Sequence, residues 1–303
     1  MDIAKGIAKR AADIEQRIQT YLPKVEGYQH TIFEAMDYSV TAGGKRLRPM
    51  LMEASYEMFG GTDPKVVEPF MVAIECIHTY SLVHDDLPEM DDDAYRRGKL
   101  TTHKQFGQAM GVLAGDALLN YAFEIVAKAL VAQAGDAKAA KAFEVLARKA
   151  GVYGMIGGQV VDVESEKKNE TVERERLDFI YRLKTGALLE ASLMVGAILA
   201  GADDVQVKKM EEAGTKLGLA FQIQDDILDV TSTVEVLGKP IGSDEKNQKA
   251  TYVSFEGIDK AKQDVALFSE EAVAILEECS GEHTFLRELF LYLLHREKSV
   301  ISR

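Results

Sequence analysis

Sixteen residues, "HDDLPEMDDDAYRRGK" at 84 to 99, hold six acidic side chains and then three basic ones. They follow an apolar run with helical spacing, "MVAIECIHTYSLVHDDLPEMD" at 71 to 91, which meets Asp85 and Asp86 at its end. Pro88 disfavours helix at the residue before it, so the helix stops near the pair. Asp91 should then return toward it over a short bulge, bringing three carboxylates together. Negative charge at a helix C-terminus opposes the helix dipole, and close like charges raise one another's pKa or repel. Such a cluster is destabilising without a cation, and hard oxygen ligands suit Mg2+.

The same device recurs downstream. "LGLAFQIQDDILDV" at 217 to 230 is again an apolar run, ending in Asp225, Asp226 and Asp229. Residues 225 and 229 lie one turn apart, roughly 6 Å along a helix axis, so their carboxylates share a face. Two such helices packed side by side put acidic walls on either side of one cavity. Mg2+ usually binds through one or two carboxylates, several waters and substrate phosphates, so the implied ligand is a diphosphate.

A diphosphate also needs cations from the protein, and four segments supply them. "GGKRLRP" at 43 to 49 places Lys45 and Arg48 three apart, behind two glycines that permit close backbone approach. "RRGK" brings Arg96 and Arg97, whose planar guanidiniums grip phosphate with two parallel bonds. Lys184 interrupts an apolar stretch beside Thr185, and Lys239 and Lys249 lie in a glycine-containing segment long enough to act as a lid. Neither GxxxxGK[ST] nor GxGxxG occurs in these loops, so they are not nucleotide motifs of the usual kinds. Each basic group taken alone is also compatible with an ordinary solvated surface.

The elements that must position these groups read as helices. Apolar residues recur at three- and four-residue spacing, as in "LLNYAFEIVAKAL" at 118 to 130 and "TFLRELFLYLLHREK" at 284 to 298. "LLEASLMVGAILAGA" is apolar nearly all round, as a helix surrounded by other helices must be. One strand candidate stands out, "QVVDVES" at 159 to 165. Breaks fall at 41 to 49, 59 to 64, 134 to 138, 165 to 170 and 237 to 251. The expected fold class is all-α, a large helical bundle around a deep central cavity, forming a single domain over 1 to 303.

Bulk properties narrow the partners. The net charge of −13 disfavours nucleic acid and anionic membranes. Cys76 and Cys279 form neither a disulfide framework nor a cysteine zinc site, which fits a reducing cytoplasm. "ASLMVGAILAGA" at 191 to 202 is too short to span a bilayer, and residues 1 to 27 carry no identifiable chemistry.

Taken in order, "GGKRLRP", "DDLPEMD", "RRGK", "GMIGGQ", "LKTG", "FQIQDDILD" and "GKPIGSD" resemble the trans-isoprenyl diphosphate synthases, in particular the bacterial farnesyl type, from about residue 28 onward. The resemblance implies a cytoplasmic homodimer acting on isopentenyl diphosphate and an allylic diphosphate, with Mg2+ ions, three per active site. It places Asp85, Asp86 and Asp91 on one side of the allylic diphosphate and Asp225, Asp226 and Asp229 on the other. Arg96, Lys184, Thr185, Gln222 and Lys239 would hold that diphosphate or its metals, and Lys45, Arg48, His78 and Arg97 the diphosphate of isopentenyl diphosphate. Tyr80 and Ser81, just below the first cluster, would limit product length, so farnesyl diphosphate is expected over geranylgeranyl diphosphate. A terpene cyclase, a regulatory subunit and a structural metal-binding bundle are the competing readings.

Overall fold

In the computed structural model of the protein, residues 3–167, 173–231 and 251–294 are described. Helices α1 (Ile3–Tyr21), α2 (His30–Val40), α3 (Leu47–Met58) and α4 (Pro64–Asp85) come first. A short hairpin, β1 (Tyr95–Arg96) and β2 (Lys99–Leu100), leads into α5 (Thr102–Phe106), α6 (Gln108–Ala132), α7 (Ala137–Ala150) and α8 (Met155–Lys167). Then α9 (Arg174–Ile180) runs through a π-helical segment (Tyr181–Gly186) into α10 (Ala187–Ala200), followed by α11 (Asp204–Thr231). Beyond the second break come α12 (Tyr252–Glu256), α13 (Ile258–Glu277) and α14 (Thr284–Leu294).

The all-α expectation holds, and its physical basis is visible in α10. Every residue from Ala187 to Leu199 is buried, because α3, α7 and α11 pack around it. Gly196 makes this possible on the α3 side: a Cβ there would collide with the Met52 carbonyl. Ser55 donates to the Leu193 carbonyl across the same contact at 2.7 Å. The broadest packing pair is α4 with α6, and α11 lies along α13.

Two apolar clusters result. The main one runs from Ile14 on α1 to Leu294 on α14 and includes Tyr80 and Val83 near the end of α4. A smaller one of Leu177, Ile180, Tyr181, Ile223, Ile227, Tyr252, Ala261 and Val265 lies beneath the end of α11.

Two local expectations need correction, and one element, the hairpin, is not among those expected. Residues 159 to 165 are helical, within α8, not a strand. Their three valines suit either structure, and tertiary packing decides: Gly158 lets α8 press onto the π segment, where a Cβ would strike the Lys184 amide. The hairpin at 95 to 100 is too short for an alternating pattern, and its signal is the turn. Arg97 and Gly98 both have positive φ (52° and 76°), as a two-residue type I′ turn requires. Finally, the apolar run at 191 to 202 continues backward into a 27-residue helical stretch, Arg174–Ala200, long and apolar enough by composition to cross a membrane. So are Pro64–Asp85 and Gln108–Ala132. The most apolar windows of the first two stretches are 78% and 72% buried inside the bundle, which accounts for their composition; that of α6 is only 39% buried.

Candidate active site

The first acidic cluster forms as its sequence demands. Asp63 caps the start of α4 by accepting from the Lys65 amide at 3.0 Å, with Pro64 in the first turn. The helix ends at Asp85, and the chain curls back so that the Asp91 amide donates to the Asp85 carbonyl at 2.9 Å. The convergence of three carboxylates does not occur. Adjacent helical residues point about 100° apart, and Asp86 turns to a different partner. Arg96 forks onto it, with Nε 2.9 Å from both carboxylate oxygens and Nη2 2.6 Å from Oδ1. Among the described residues, no three His, Cys, Asp or Glu side chains gather at one point.

Asp85 is the distinctive carboxyl. Burial pushes it up to about 6, with Lys184 pulling it down and Asp91 pushing it further up. Burial also raises Asp86, against the pull of the Arg96 fork. Gln159 on α8 donates to Asp85 Oδ1, and one turn along the same helix Asp162 accepts from Lys184 Nζ at 2.6 Å. Neither Gln159 nor Asp162 was assigned from the sequence. Read as a strand, residues three apart face opposite ways, whereas in a helix they share a face; "GQVVD" carried that signal.

Lys184 and Thr185 lie in the π segment, a distortion that recurs at functional sites. Thr185 donates to Gln222 Oε1 at 2.9 Å, one turn before Asp225 and Asp226 on α11. Three side-chain bonds therefore lie between the two acidic clusters: Gln159 to Asp85 and Lys184 to Asp162 from neighbouring turns of α8, and Thr185, beside Lys184, to Gln222 on α11. Asp225 is half-buried, while Asp226 and Asp229 are buried at 4% and 2% exposure. Asp226 accepts from the Tyr181 hydroxyl and, at 2.8 Å, from the Tyr252 amide. This ties the first residue of the π segment and the start of α12 to the second acidic cluster.

A cationic group faces the first cluster from the other side. Arg97 reaches back to donate to the Gly43 carbonyl. Gly44, at φ 146°, leaves room for it, since a Cβ there would lie 2.8 Å from Arg97 Nη1. Burial lowers Arg48 to about 10, Glu75 opposing and Arg97 adding to the fall. Its buried Nε has no hydrogen-bond partner among the described residues. Burial, then Arg48 and Arg97, hold His78 well below its ordinary value, so the imidazole is neutral. Lys45 stands exposed at the lip. A small cleft is lined by Asp86, Arg96 and Arg97 together with Tyr38, Ser39 and Thr102.

Tyr80 is buried, its ring edge-on to the His84 ring with centroids 5.8 Å apart. His84 in turn fills the notch left by Gly115 on α6 and lies 3.0 Å from the Val112 carbonyl. Ser81 donates to the His78 carbonyl at 2.8 Å. Lys239 and Lys249 lie outside the described residues.

The donor set fits Mg2+ better than a self-contained metal cage. Carboxylates that do not gather in threes leave most coordination positions to water and phosphate oxygens, the habit of Mg2+. Arg48, with an orphaned buried donor, fits an anion.

Comparison with known proteins agrees with this arrangement. Residues 29–284 match the profile of the polyprenyl synthetase family. A farnesyl diphosphate synthase of Geobacillus stearothermophilus is 45% identical over 90% of this chain and 90% of its own. A geranylgeranyl diphosphate synthase of Cyanophora paradoxa is also 45% identical, over 87% of this chain and 86% of its own. Among solved structures, a Helicobacter pylori geranyltransferase, described as complexed with magnesium and isoprenyl diphosphate, superposes with a TM-score of 0.82. It shares 31% identity over 97% of both chains. With its helical bundle and both aspartate motifs in place, this chain belongs to the polyprenyl synthetase family.

Proposed function

We propose that this protein is a short-chain trans-prenyltransferase that condenses isopentenyl diphosphate with dimethylallyl and geranyl diphosphates to give farnesyl diphosphate. The observation that carries the reading is a set of three hydrogen bonds, Gln159 to Asp85, Lys184 to Asp162 and Thr185 to Gln222, carried by α8, the π segment and α11 between the two clusters. It brings Lys184 between two anionic clusters.

In this reading Asp85 and Asp91 on one side, and Asp225 with Asp226 and Asp229 on the other, hold Mg2+. When bound, the metal neutralises the allylic diphosphate as negative charge develops on it. Lys184, Arg96 and Thr185 bind the same diphosphate, with Gln222 orienting Thr185; Lys239 would join them from outside the described residues. Their charges favour departure of the diphosphate and leave an allylic cation. Lys45, Arg48, Arg97 and neutral His78 hold isopentenyl diphosphate so that its double bond meets that cation. The new C–C bond forms as the allylic C–O bond is lost, and the resulting cation gives up a proton to the departed pyrophosphate, so no serine, cysteine or acid/base pair of the protein is needed beyond charge stabilisation and orientation.

Product length rests on Tyr80, whose buried ring is braced by His84 five and one residues before Asp85. The equal identity to a geranylgeranyl diphosphate synthase supports a second reading, the same reaction taken one unit further. Incubation with isopentenyl and geranyl diphosphates, with and without Mg2+, tests both. Farnesol after dephosphorylation, only with Mg2+, is expected; geranylgeraniol as the main alcohol selects the second reading, and no condensation removes both. Tyr80→Ala should shift the product toward twenty carbons, and an unchanged chromatogram excludes Tyr80 from that role.

A homodimer accounts for α6, whose apolar length is only partly covered within one chain: Leu113 and Val131 are 53% and 79% exposed. Sedimentation at twice the chain mass is the expected result. The continuity of the main core from α1 to α14 supports one domain, and two buried free cysteines suit a reducing, cytoplasmic setting.

A further inference from the structure

The basic motif at 43 to 48 contains a cation that no proposed contact with substrate uses. Arg46, between Lys45 and Arg48, is 2% exposed and points inward. Its backbone is left-handed (φ 49°, ψ 36°), a conformation that strains any residue with a side chain. Three contacts hold it there. Nε donates to Glu15 on α1 at 2.5 Å, Nη1 to Glu75 on α4 at 2.6 Å and Nη2 to the carbonyl of Val40, the last residue of α2, at 2.6 Å. Burial pulls the Arg46 guanidinium down, and Glu75 and Glu15 more than restore it.

We infer that Arg46, fastened by Glu15 and Glu75, is the positioning residue that orients Lys45 and Arg48 toward isopentenyl diphosphate, with α1 as the strap behind the motif. Arg46 caps the start of α3, and the Met50 amide closes the first turn onto its carbonyl at 3.1 Å. Whatever fixes Arg46 therefore fixes the direction in which Arg48, two residues on, enters that turn. Arg48 needs such help. A cation at a helix N-terminus opposes the dipole, its neighbour Arg97 repels it, and its buried Nε has no hydrogen-bond partner among the described residues. Arg97 clamps the same loop from outside through the Gly43 carbonyl, so Gly43 to Arg48 is held on both faces. Glu15 and Glu75 together outnumber Arg46 by one charge, and Glu75 also offsets Arg48 and Arg97. This gives α1, which packs on α3 and α4, a specific task at one of the two substrate positions.

The inference rests on the reading that Lys45 and Arg48 bind the isopentenyl diphosphate, and the test separates the two. Full-length wild type, Glu15→Gln, Glu15→Asp and Arg48→Ala are compared by steady-state kinetics with each substrate varied in turn, and by thermal melting. Glu15 is partly exposed, so its amide variant should fold. For Glu15→Gln, KM for isopentenyl diphosphate should rise about tenfold, the size expected when loss of one charged hydrogen bond loosens an oriented group. KM for geranyl diphosphate and kcat should stay within about twofold, and Glu15→Asp should recover part of the loss. If Arg48→Ala leaves KM for isopentenyl diphosphate unchanged, the site reading fails and takes this inference with it. If Arg48→Ala raises it while Glu15→Gln alters neither KM, or both equally alongside a lower melting temperature, the strap is structural only and the inference is overturned.

Discussion

The two aspartate clusters end their helices alike and are held in different ways. In each, the middle aspartate is turned into the protein: Asp86 and Asp226 are 3% and 4% exposed. Asp86 is paired with a cation, the forked Arg96 guanidinium, whereas Asp226 accepts from two neutral donors, the Tyr181 hydroxyl and the Tyr252 amide. The supports differ as well. The first cluster stands on the main core, through Tyr80 and Val83. The second stands on the small satellite cluster that includes Tyr181 and Tyr252. Adjacent positions on a helix thus take different partners: Asp86 the Arg96 fork and Asp85 the Gln159 amide.

The comparison is broken most directly at the first residue of each doublet. Asp85→Asn and Asp225→Asn should each lower kcat by about 10³-fold with little change in folding, as loss of a group that stabilises developing charge does. Steady-state kinetics with melting curves checks this, and retention of more than a tenth of the activity removes that residue from the metal-binding role.

Next in size is the contrast between the middle residues. Asp86→Asn replaces the charged partner of the half-buried Arg96 guanidinium and should cost on the order of 2 kcal/mol of stability. Asp226→Asn retains an oxygen that can accept from both neutral donors and should cost about 1 kcal/mol or less. Chemical denaturation distinguishes them, and equal losses mean that the second doublet is not held by neutral donors alone. An Asp226→Asn protein that folds normally yet loses activity assigns Asp226 a direct role at the metal as well.

Tyr181→Phe removes one of the two donors to Asp226. It should destabilise by about 1.5 kcal/mol and loosen the start of α12, seen as faster amide exchange at Tyr252. Unchanged exchange there places no weight on the tyrosine.

The smallest effect is a pH dependence belonging to the first cluster. Asp85 titrates near 6 in the folded chain against an ordinary 3.8. Below 3.8 it is protonated folded or unfolded and costs nothing; as pH rises through 6, a charge is forced into a buried site and stability falls. Metal-free wild type should therefore melt higher at pH 5.5 than at pH 7.5 by a margin that Asp85→Asn reduces. Mg2+ with pyrophosphate should restore stability at the higher pH. Identical pH slopes in wild type and variant count against the assignment.

Much of this site could be read from the chain. Helix spacing, the stop before Pro88 and the two acidic doublets were enough to infer an all-α bundle that binds Mg2+ and a diphosphate, because they depend on local periodicity and on charge that must be compensated nearby. The comparatively hidden parts share one cause. Gln159 and Asp162 became visible only when packing against the π segment made 159 to 165 a helix, since three valines are compatible with either state. Arg46 looks like its neighbours in "GGKRLRP", and only a left-handed backbone turns it inward onto Glu15, 31 residues away.

The sequence by itself therefore determined the element types, the sign of the charge at each helix end and the class of ligand those charges require. Tertiary structure alone decided which member of each charged pair faces inward. That choice depends on partners such as Arg96, Tyr181 and Glu15, brought within hydrogen-bonding distance by helix packing, and no local pattern encodes their approach.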